Sequence, residues 1–392
     1  MINTIDFKTK TLYIPRKNVG VKKAWGIAID IGYSSVKVFC ENAAACIPSF
    51  AKKLEGPLLS IGSVSKTRIL YEDLETGESW IVGEMAQEMA DEHDSESELY
   101  GRKRYFSPMF KVITRCGLAM GMFDNQYGGP SGRSIKIQTG LPPKYMTDKE
   151  DLVESMSGKH HFRMKVGEDP WKEFDFQITK QDIAIMPQPM GTLFSVSFDR
   201  NGRQVPEAKK LWSSNLIIFD PGFGTCDTFY IKNQTIEDQS TFNELSMKEI
   251  LNKTRKKIQE QYNEDIPIAS MQSNLKTGNI RIKSRKNGRP ISKDVPFANL
   301  LEESCNEVCN EALDKLCSVY NALFNCDYLI PTGGLSAVWK PDIIQYFSGL
   351  ETLKIIPGTQ NDNLPSIFNN VRGYYMNLIG TLRQMGYQRM VI

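Results

Sequence analysis

The sequence has few of the residues on which many catalytic centres depend. Histidine occurs only as His93, His160 and His161. The eight cysteines include no pair separated by two residues, which is the spacing of many metal and redox sites. We therefore expect reduced thiols that pack as small apolar side chains, chemistry that does not depend on histidine, and a reducing cytoplasmic compartment.

The sequence also lacks a strong net charge and a long apolar run. Its net charge is +2 over 392 residues, which gives no overall field to attract nucleic acid or a membrane. Direct nucleic-acid binding and direct membrane contact are therefore not expected. No apolar run approaches the length of a membrane span, and residues 1–20 lack the apolar core of a secretory signal.

The order of the apolar segments predicts an α/β protein with two lobes. A strand, a glycine turn and a second strand occur near residue 30 and again near residue 220, so each lobe is expected to hold a mixed β-sheet flanked by helices. The predicted limits are 1–23 for a polar basic arm, 24–192 for the first domain with a small subdomain at about 45–125, 193–370 for the second domain with a small subdomain at about 245–320, and 371–392 for a C-terminal helix that returns to the first domain.

Three other stretches carry weaker patterns. The arm at residues 1–23 is expected to be solvated or to add an edge strand, and contact with a neighbouring subunit or an acidic partner is the alternative. Residues 50–125 are expected to be irregular, except for a helix at 108–123. The basic stretch 276–289 contains Asn287-Gly288, which predicts a hairpin.

Three short segments each combine the end of an apolar strand with a turn of small residues, namely residues 27–35, 216–225 and 328–336. A buried strand fixes the position of its last residue, and glycine lets backbone amides approach a phosphate or a sugar. Asp30 and Asp220 stand at the ends of the first two strands, where a carboxylate can hold a hydrated magnesium ion. The pattern predicts a nucleotide held between two lobes.

The first turn offers several groups to a phosphate. Its predicted cofactor-binding residues are Gly32, Tyr33, Ser34 and Ser35. Lys37, seven residues after Asp30, is expected to return along the next strand toward the same phosphates. A plain β-hairpin in which Asp30 caps its own turn is the alternative, because short glycine motifs often match by chance.

The second and third turns are expected to reach the other parts of the nucleotide. The predicted contacts of the second turn are Gly222, Phe223, Gly224 and Thr225. Asp227 is expected to be structural and to close that turn. The predicted contacts of the third turn, with ribose, adenine or the α-phosphate, are Gly333, Gly334 and Leu335. A tight connection between a strand and a helix is the alternative for the third turn.

The three turns, in this order, resemble the phosphate-one, phosphate-two and adenosine motifs of the actin, sugar-kinase and heat-shock-chaperone ATPase superfamily. Residues 139–145 resemble the Gly-Leu-Pro segment of ParM-type plasmid-segregation actins, and residues 370–375 resemble their second connecting helix, where small residues let the lobes pack and hinge. The resemblance spans residues 25–380 and implies an actin-like two-lobed fold with ATP or GTP and Mg²⁺ in the cleft between the lobes.

The resemblance implies further site residues. Gln188, between two prolines, stands where the family orients the attacking water, although many bacterial relatives resemble one another in carrying Glu there. A Gln orients water but accepts a proton poorly. An ordinary polar loop residue is the alternative. Lys248, with Met247 and Leu251, stands in the region where the family contacts base and ribose.

The expected function is a slow, Mg-dependent ATP hydrolase that assembles head to tail into filaments and disassembles on hydrolysis. No arginine finger is identified in the sequence, which favours slow turnover. A DNA-binding adaptor would link the filament to plasmid or phage DNA. A small-molecule kinase is the main alternative, with Asp148 or Asp182 as its substrate base. A chaperone nucleotide-binding domain and a non-hydrolysing scaffold are the others.

Overall fold

The computed structural model describes residues 2–56, 64–89, 102–286 and 289–390. Its strands are β1 Leu12–Pro15, β2 Ala24–Ile31, β3 Ser35–Cys40, β4 Ala43–Pro48, β5 Ala51–Lys53, β6 Ile69–Asp73, β7 Ser79–Val82, β8 Ser134–Leu141, β9 Gly158–Val166, β10 Lys172–Ile178, β11 Ile183–Pro187, β12 Leu216–Pro221, β13 Cys226–Lys232, β14 Thr235–Phe242, β15 Asn279–Lys286, β16 Arg289–Pro296, β17 Tyr328–Pro331 and β18 Lys354–Ile355. Its α-helices are α1 Glu84–Glu88, α2 Pro108–Met120, α3 Lys149–Met156, α4 Gln188–Ser197, α5 Ala208–Ser213, α6 Met247–Tyr262, α7 Ile268–Asn274, α8 Ala298–Val319, α9 Ser336–Tyr346 and α10 Asn369–Gln384. Short 3₁₀ turns occur at Thr4–Phe7, Arg102–Phe106, Pro143–Asp148, Lys180–Asp182, Asn321–Leu323 and Ser366–Phe368.

The first lobe is built on a six-stranded mixed sheet in the order β1-β4-β3-β2-β8-β11. All eight residues of β2 are buried, because helices cover both faces of the sheet. Ile27 and Ile29 point toward α2, whereas Ala28 points toward α10. The sheet therefore holds the end of β2, and with it Asp30, at a fixed position between two packed layers.

A second sheet in the first lobe has the order β10-β9-β6-β7-β5. The predicted hairpin near 161–178 is present and pairs along the full length of β10. The expectation of an irregular stretch at 50–125 is wrong, since β5, β6 and β7 lie within it. These strands contain only three to five residues each, too few for a clear alternating pattern.

The second lobe repeats the arrangement with a sheet in the order β14-β13-β12-β17-β18. The long helix α8 packs against α6, and the core beneath them joins β12 to α9. The polar edge strand β14 and the short helix α7 are not anticipated by the sequence patterns. The predicted basic hairpin is present as β15 and β16, with a buried base at Ile280 and Val295; its Asn287-Gly288 turn lies outside the described residues.

Helices α4 and α10 connect the lobes and cross in close contact. An added Cβ at Gly373 would lie 1.6 Å from the carbonyl oxygen of Gly191, so only glycine permits this crossing. Tyr374 packs against both Gly140 and Gly191. The segments 139–145 and 370–375, which are far apart in sequence, therefore meet at one hinge. The predicted domain limit at 192 falls inside α4, and α10 packs against β2 of the first-lobe sheet.

The N-terminal arm belongs to both lobes. Its strand β1 pairs antiparallel with β4, which confirms the edge-strand interpretation. Before that strand, Thr4 Oγ1 donates a hydrogen bond to the carbonyl oxygen of Leu275 in the second lobe, at 2.8 Å. Ile2 and Phe7 pack against the second-lobe core. The sequence gives no sign of this contact between the lobes.

All eight cysteines are free thiols, and each except the half-buried Cys317 is buried. Burial raises the pKa of Cys40 to about 12 and that of Cys46 to about 11, which keeps both protonated at neutral pH. Over the described ranges, no helix has both the length and the apolar character that crossing a membrane requires.

Candidate functional site

A cleft between the lobes brings together the three glycine turns. The predicted residues that line it are Asp30, Gly32, Tyr33, Ser34, Ser35, Lys37, Gln188, Asp220, Gly222, Phe223, Gly224, Thr225, Gly333, Gly334 and Leu335. Segments separated by more than a hundred residues thus converge on one cavity. Their contacts with a nucleotide stay predictions, but the geometric requirement behind those predictions is met.

The first two turns have the same backbone arrangement. Gly32 N donates to the carbonyl oxygen of Ser35 at 3.0 Å, and Gly222 N donates to that of Thr225 at 2.8 Å. In the strand register, Asp30 faces Lys37 and Asp220 faces Asp227. Each lobe therefore presents an aspartate one pair before the end of its strand pair, next to a bare-backbone turn.

The first-lobe aspartate is bound by two side chains. Lys37 Nζ lies 3.0 Å from one oxygen of the Asp30 carboxylate, and Gln188 Nε2 donates to the other at 3.2 Å. Burial by itself would lower the pKa of Lys37, but the Asp30 carboxylate outweighs it, and the pKa lies above the usual value. Lys37 is therefore charged in the cleft. Gln188 opens α4 and faces the cleft, which removes the ordinary-loop alternative for it.

The second-lobe aspartate has no basic partner across the strand pair. Asn370 Nδ2 donates to Asp220 at 2.5 Å. Burial raises the pKa of Asp220 to about 6, the charge of Asp30 acts in the same direction, and Asn370 and Lys37 oppose it. In the sequence, Asn370 stands out only as the first residue of the segment that resembles the second connecting helix. No local signal marks it, since the segment 370–375 also contains the polar Arg372 and two tyrosines.

Asp227 also lines the cleft, and its expected structural role stays a prediction that its hydrogen bonds support. The hydroxyls of Thr225 and Thr241 donate to its two carboxylate oxygens at 3.1 and 2.6 Å. Burial raises its pKa to about 8, and Asp220 adds to the increase because both are negative. The hydroxyl contacts anchor the turn to the edge strand β14.

The third turn contacts the second one directly. Gly333 has a φ of +78°, and a Cβ there would lie 2.1 Å from Asp220 Oδ1. Leu335 N donates to the carbonyl oxygen of Pro221 at 3.2 Å. Both the left-handed backbone and the close approach require glycine at position 333. The third turn therefore packs against Asp220, in addition to connecting β17 to α9.

The donor set fits a hydrated magnesium ion with a polyphosphate. Across the described residues, no group of three or more His, Cys, Asp or Glu side chains could cage a metal ion. Mg²⁺ needs no such cage, because it commonly keeps several waters and binds through one or two carboxylates and the substrate phosphates. Asp30 and Asp220 are 4% and 5% exposed, which leaves their carboxylates shielded from bulk water but open to the cleft.

Several cleft residues were missed by sequence reasoning. Arg104 lines the cleft; its guanidinium lies 4.2 Å from the centre of the Tyr33 ring and donates to the carbonyl oxygen of Ile31 at 2.5 Å. An arginine therefore stands beside the first turn, where none was identified. Asp6, Phe7, Lys8 and Thr9 of the arm also line the cavity. No local motif marks these residues, since tertiary packing brings them there.

Other candidates lie elsewhere. Met247 lines the cleft, whereas Lys248 and Leu251 are not among its lining residues. The backbone amide of Lys248 instead donates to the carbonyl oxygen of Phe223 at 2.8 Å, which supports the second turn. Neither proposed kinase base, Asp148 nor Asp182, lines the cleft. Asp182 instead accepts hydrogen bonds from the side chain of Lys136 and from the backbone amide of Thr179.

One protein-family model matches most of the first lobe. Residues 28–191 match the family model for the N-terminal domain of actin-like proteins. The matched range starts in β2, includes the first turn and the Gly-Leu-Pro segment, and ends in α4. No curated protein matches the chain in a sequence search.

Solved structures identify the whole fold. A non-polymerisable quadruple mutant of pCBH ParM matches with a TM-score of 0.69 at 19% identity, over 92% of this chain and 99% of that one. A 15-stranded ParM filament from Clostridium botulinum matches with a TM-score of 0.68 at 18% identity, over 92% and 99%. The archaeal actin homologue Ta0583 in complex with ADP matches with a TM-score of 0.58 at 13% identity, over 92% and 99%. The predicted actin-like fold is confirmed.

Proposed function

We propose that this protein is a Mg-dependent ATPase that assembles into filaments, because residues 28–191 match the model of the actin-like N-terminal domain and the whole chain has the actin-like fold. The observation that supports it most is the pair of matched turns, which set Asp30 and Asp220 on opposite walls of one cleft. Further support comes from the ADP complex of the structurally similar Ta0583.

The proposed roles follow from the contacts. The amides of the first two turns and Lys37 hold the phosphates, while Asp30 and Asp220 orient the hydrated metal. Bound magnesium would neutralise charge on the β- and γ-phosphates. Gln188, held by Asp30 at 3.2 Å, orients the attacking water. Since Gln accepts a proton poorly, hydrolysis depends on positioning and charge stabilisation and is slow.

The hinge links hydrolysis to assembly in this proposal. Asn370 binds Asp220 and also belongs to α10, which crosses α4 directly behind Gln188. Loss of the γ-phosphate would therefore change contacts at both connecting helices, and with them the relative position of the lobes. Head-to-tail contacts that favour one lobe position form the filament, as the C. botulinum ParM filament illustrates for a structurally similar protein.

The proposed cellular role is segregation of plasmid or phage DNA in the cytoplasm through a DNA-binding adaptor. This part rests on the likeness to ParM structures alone. Purified protein with Mg-ATP, Mg-GTP or no nucleotide should be followed by light scattering, sedimentation and phosphate release. Nucleotide-dependent pelleting with slow phosphate release is expected. Phosphate transfer that requires an added sugar, without pelleting, would favour the kinase alternative.

A further inference from the structure

The N-terminal arm, which contains none of the three glycine turns, also reaches the cleft. It is anchored at the hinge, where Arg16 Nη2 lies 2.8 Å from Asp362 and Asp362 also accepts from Arg372 on α10. The arm then follows the edge of the first-lobe sheet as β1. Beyond β1, Thr4 binds the second lobe through Leu275. The segment between them, residues 5–11, therefore spans the mouth of the cleft.

The two lobes also contact each other beside the arm. Gln87 on α1 donates to Gln272 on α7 at 3.1 Å, and Lys276 lies 3.5 Å from Glu88. The arm segment runs along this contact, since Thr11 N donates to Glu84 on α1 at 2.6 Å. A ligand in the cleft would thus have residues of the arm on its outer side.

Lys8 is the unusual residue of this segment. It is 8% exposed and lines the cleft, and among the residues that the structure describes its ammonium group has no hydrogen-bond partner. Burial lowers its pKa, although Glu84 and Glu88 act in the opposite direction. Those two carboxylates bind other groups, the amide of Thr11 and the side chain of Lys276.

The other cations of the cleft wall have partners within the protein. Lys37 is paired with Asp30, and Arg104 donates to the carbonyl oxygen of Ile31. A buried ammonium without an acceptor is costly, so its presence on the wall of a cavity indicates an anion that enters the cavity. The cavity already presents the turns and carboxylates that suit a metal-bound polyphosphate.

We propose that Lys8 is a nucleotide-binding residue, and that the arm holds its ammonium against the polyphosphate from the mouth of the cleft. This inference rests on the proposed nucleotide-binding function and adds to it a contact from outside the three glycine turns. Lys8 discriminates by charge, so it favours ATP over AMP. The arm also has to detach from the second lobe before the nucleotide can leave.

The test compares Lys8→Met with Lys10→Met in the full chain. Lys10 is exposed and carries the same charge two residues away, which makes it the matched control. Affinities for mant-ATP and mant-AMP are measured by fluorescence. Lys8→Met should weaken mant-ATP binding roughly 10- to 100-fold, the usual contribution of a charge-assisted hydrogen bond, and Lys10→Met should change it less than about 2-fold.

The specificity of the effect separates a binding role from a structural one. Lys8→Met should leave mant-AMP affinity close to that of the wild type, and the nucleotide-free variant should melt no lower than the wild type because a buried unpaired charge is gone. Equal losses for both nucleotides, or mant-ATP affinity equal to that of Lys10→Met, would overturn the inference alone. Absence of ATP binding by the wild type would overturn the proposed function as well.

A second variant tests the arm without removing the charge. Thr4→Val deletes the hydrogen bond to Leu275 and keeps the side-chain shape. We expect mant-ATP to dissociate roughly 2- to 10-fold faster, because one hydrogen bond that holds the arm to the second lobe is lost. A dissociation rate unchanged from the wild type would contradict closure of the cleft by the arm.

Discussion

The turns that follow β2 and β12 have one backbone arrangement but opposite charge relationships. In both, the glycine amide donates to the carbonyl three residues later, and the aspartate pairs in register with the residue seven positions on. That residue is Lys37 in the first lobe and Asp227 in the second. The first turn is therefore close to neutral, whereas the second holds two buried carboxylates.

This difference assigns different tasks to the two turns. Asp30 already has two donors, Lys37 and Gln188, so its main effect is to position them. Asp220 has a neutral donor, Asn370, and burial together with the negative charge of Asp30 raises its pKa. A cation would relieve that repulsion, so the second turn gains more from bound magnesium than the first does.

The largest expected effect comes from breaking the ion pair between Lys37 and Asp30. Lys37→Met leaves Asp30, 4% exposed, without its countercharge. Removal of one partner of a buried pair commonly costs about 3–5 kcal/mol. Urea unfolding of the nucleotide-free protein should show this loss, and Asp227→Asn, the corresponding change in the second lobe, should show none. Equal stability of Lys37→Met and the wild type would mean that the pair does not stabilise the lobe.

The next effect concerns the metal. Asp220→Asn keeps the shape and the contact with Asn370 but removes the charge that the proposed magnesium needs. Phosphate release with Mg-ATP should fall about 100-fold or more, since groups that orient a metal commonly contribute 10- to 100-fold or above. Stability without nucleotide should not fall, because a buried charge is removed. Wild-type turnover in this variant would exclude Asp220 from the site.

The sequence reveals the site where its residues are close together in the chain. Asp30, the glycine turn and Lys37 fall within eight residues, and the second turn repeats the pattern, so strand ends and glycines suffice to predict both. Arg104 and Lys8 could not be predicted in this way, because the packing of distant elements brings them to the cleft. Local spacing carries no information about such contacts.

The same reasoning explains the outcome for the fold. The long buried strands β2 and β12 and the apolar face of α8 are visible as patterns, whereas β5, β6 and β7 are too short to show one. At Gln188 the flanking prolines left a loop residue as the alternative, but Pro189 occupies the first turn of α4, where its missing amide costs nothing. A helix start and a loop look alike at such a position.

A smaller effect is expected at Gln188, which donates to Asp30 and is proposed to orient the attacking water. Gln188→Ala removes the donor to Asp30 and the group proposed to orient water. Phosphate release should slow about 10- to 100-fold, in the range of one positioned catalytic group, while ATP-dependent pelleting stays close to that of the wild type. Gln188→Glu is the informative companion, since many bacterial relatives are expected to carry Glu there. Filaments of Gln188→Ala that hydrolyse ATP at the wild-type rate would remove this role.

The last prediction tests the buried carboxyl group of Asp227 in the second turn through pH. The pKa of Asp227 is about 8 in the folded protein and about 3.8 when unfolded, so between these values the folded state binds more protons than the unfolded one. Stability of the nucleotide-free protein should therefore fall as pH rises through this range, by at most about 1.4 kcal/mol per pH unit for one group. Asp227→Asn lacks this titration and keeps a side chain that can accept from Thr225 or Thr241.

The measurement is the difference in melting temperature between Asp227→Asn and the wild type from pH 5 to pH 8. Asp220 titrates in both proteins, so it contributes little to the difference. Relative to the wild type, the variant should become progressively more stable from pH 5 toward pH 8. A difference that stays constant with pH would mean that Asp227 ionises freely in the folded state. The second turn would then lack the charge repulsion that distinguishes it from the first.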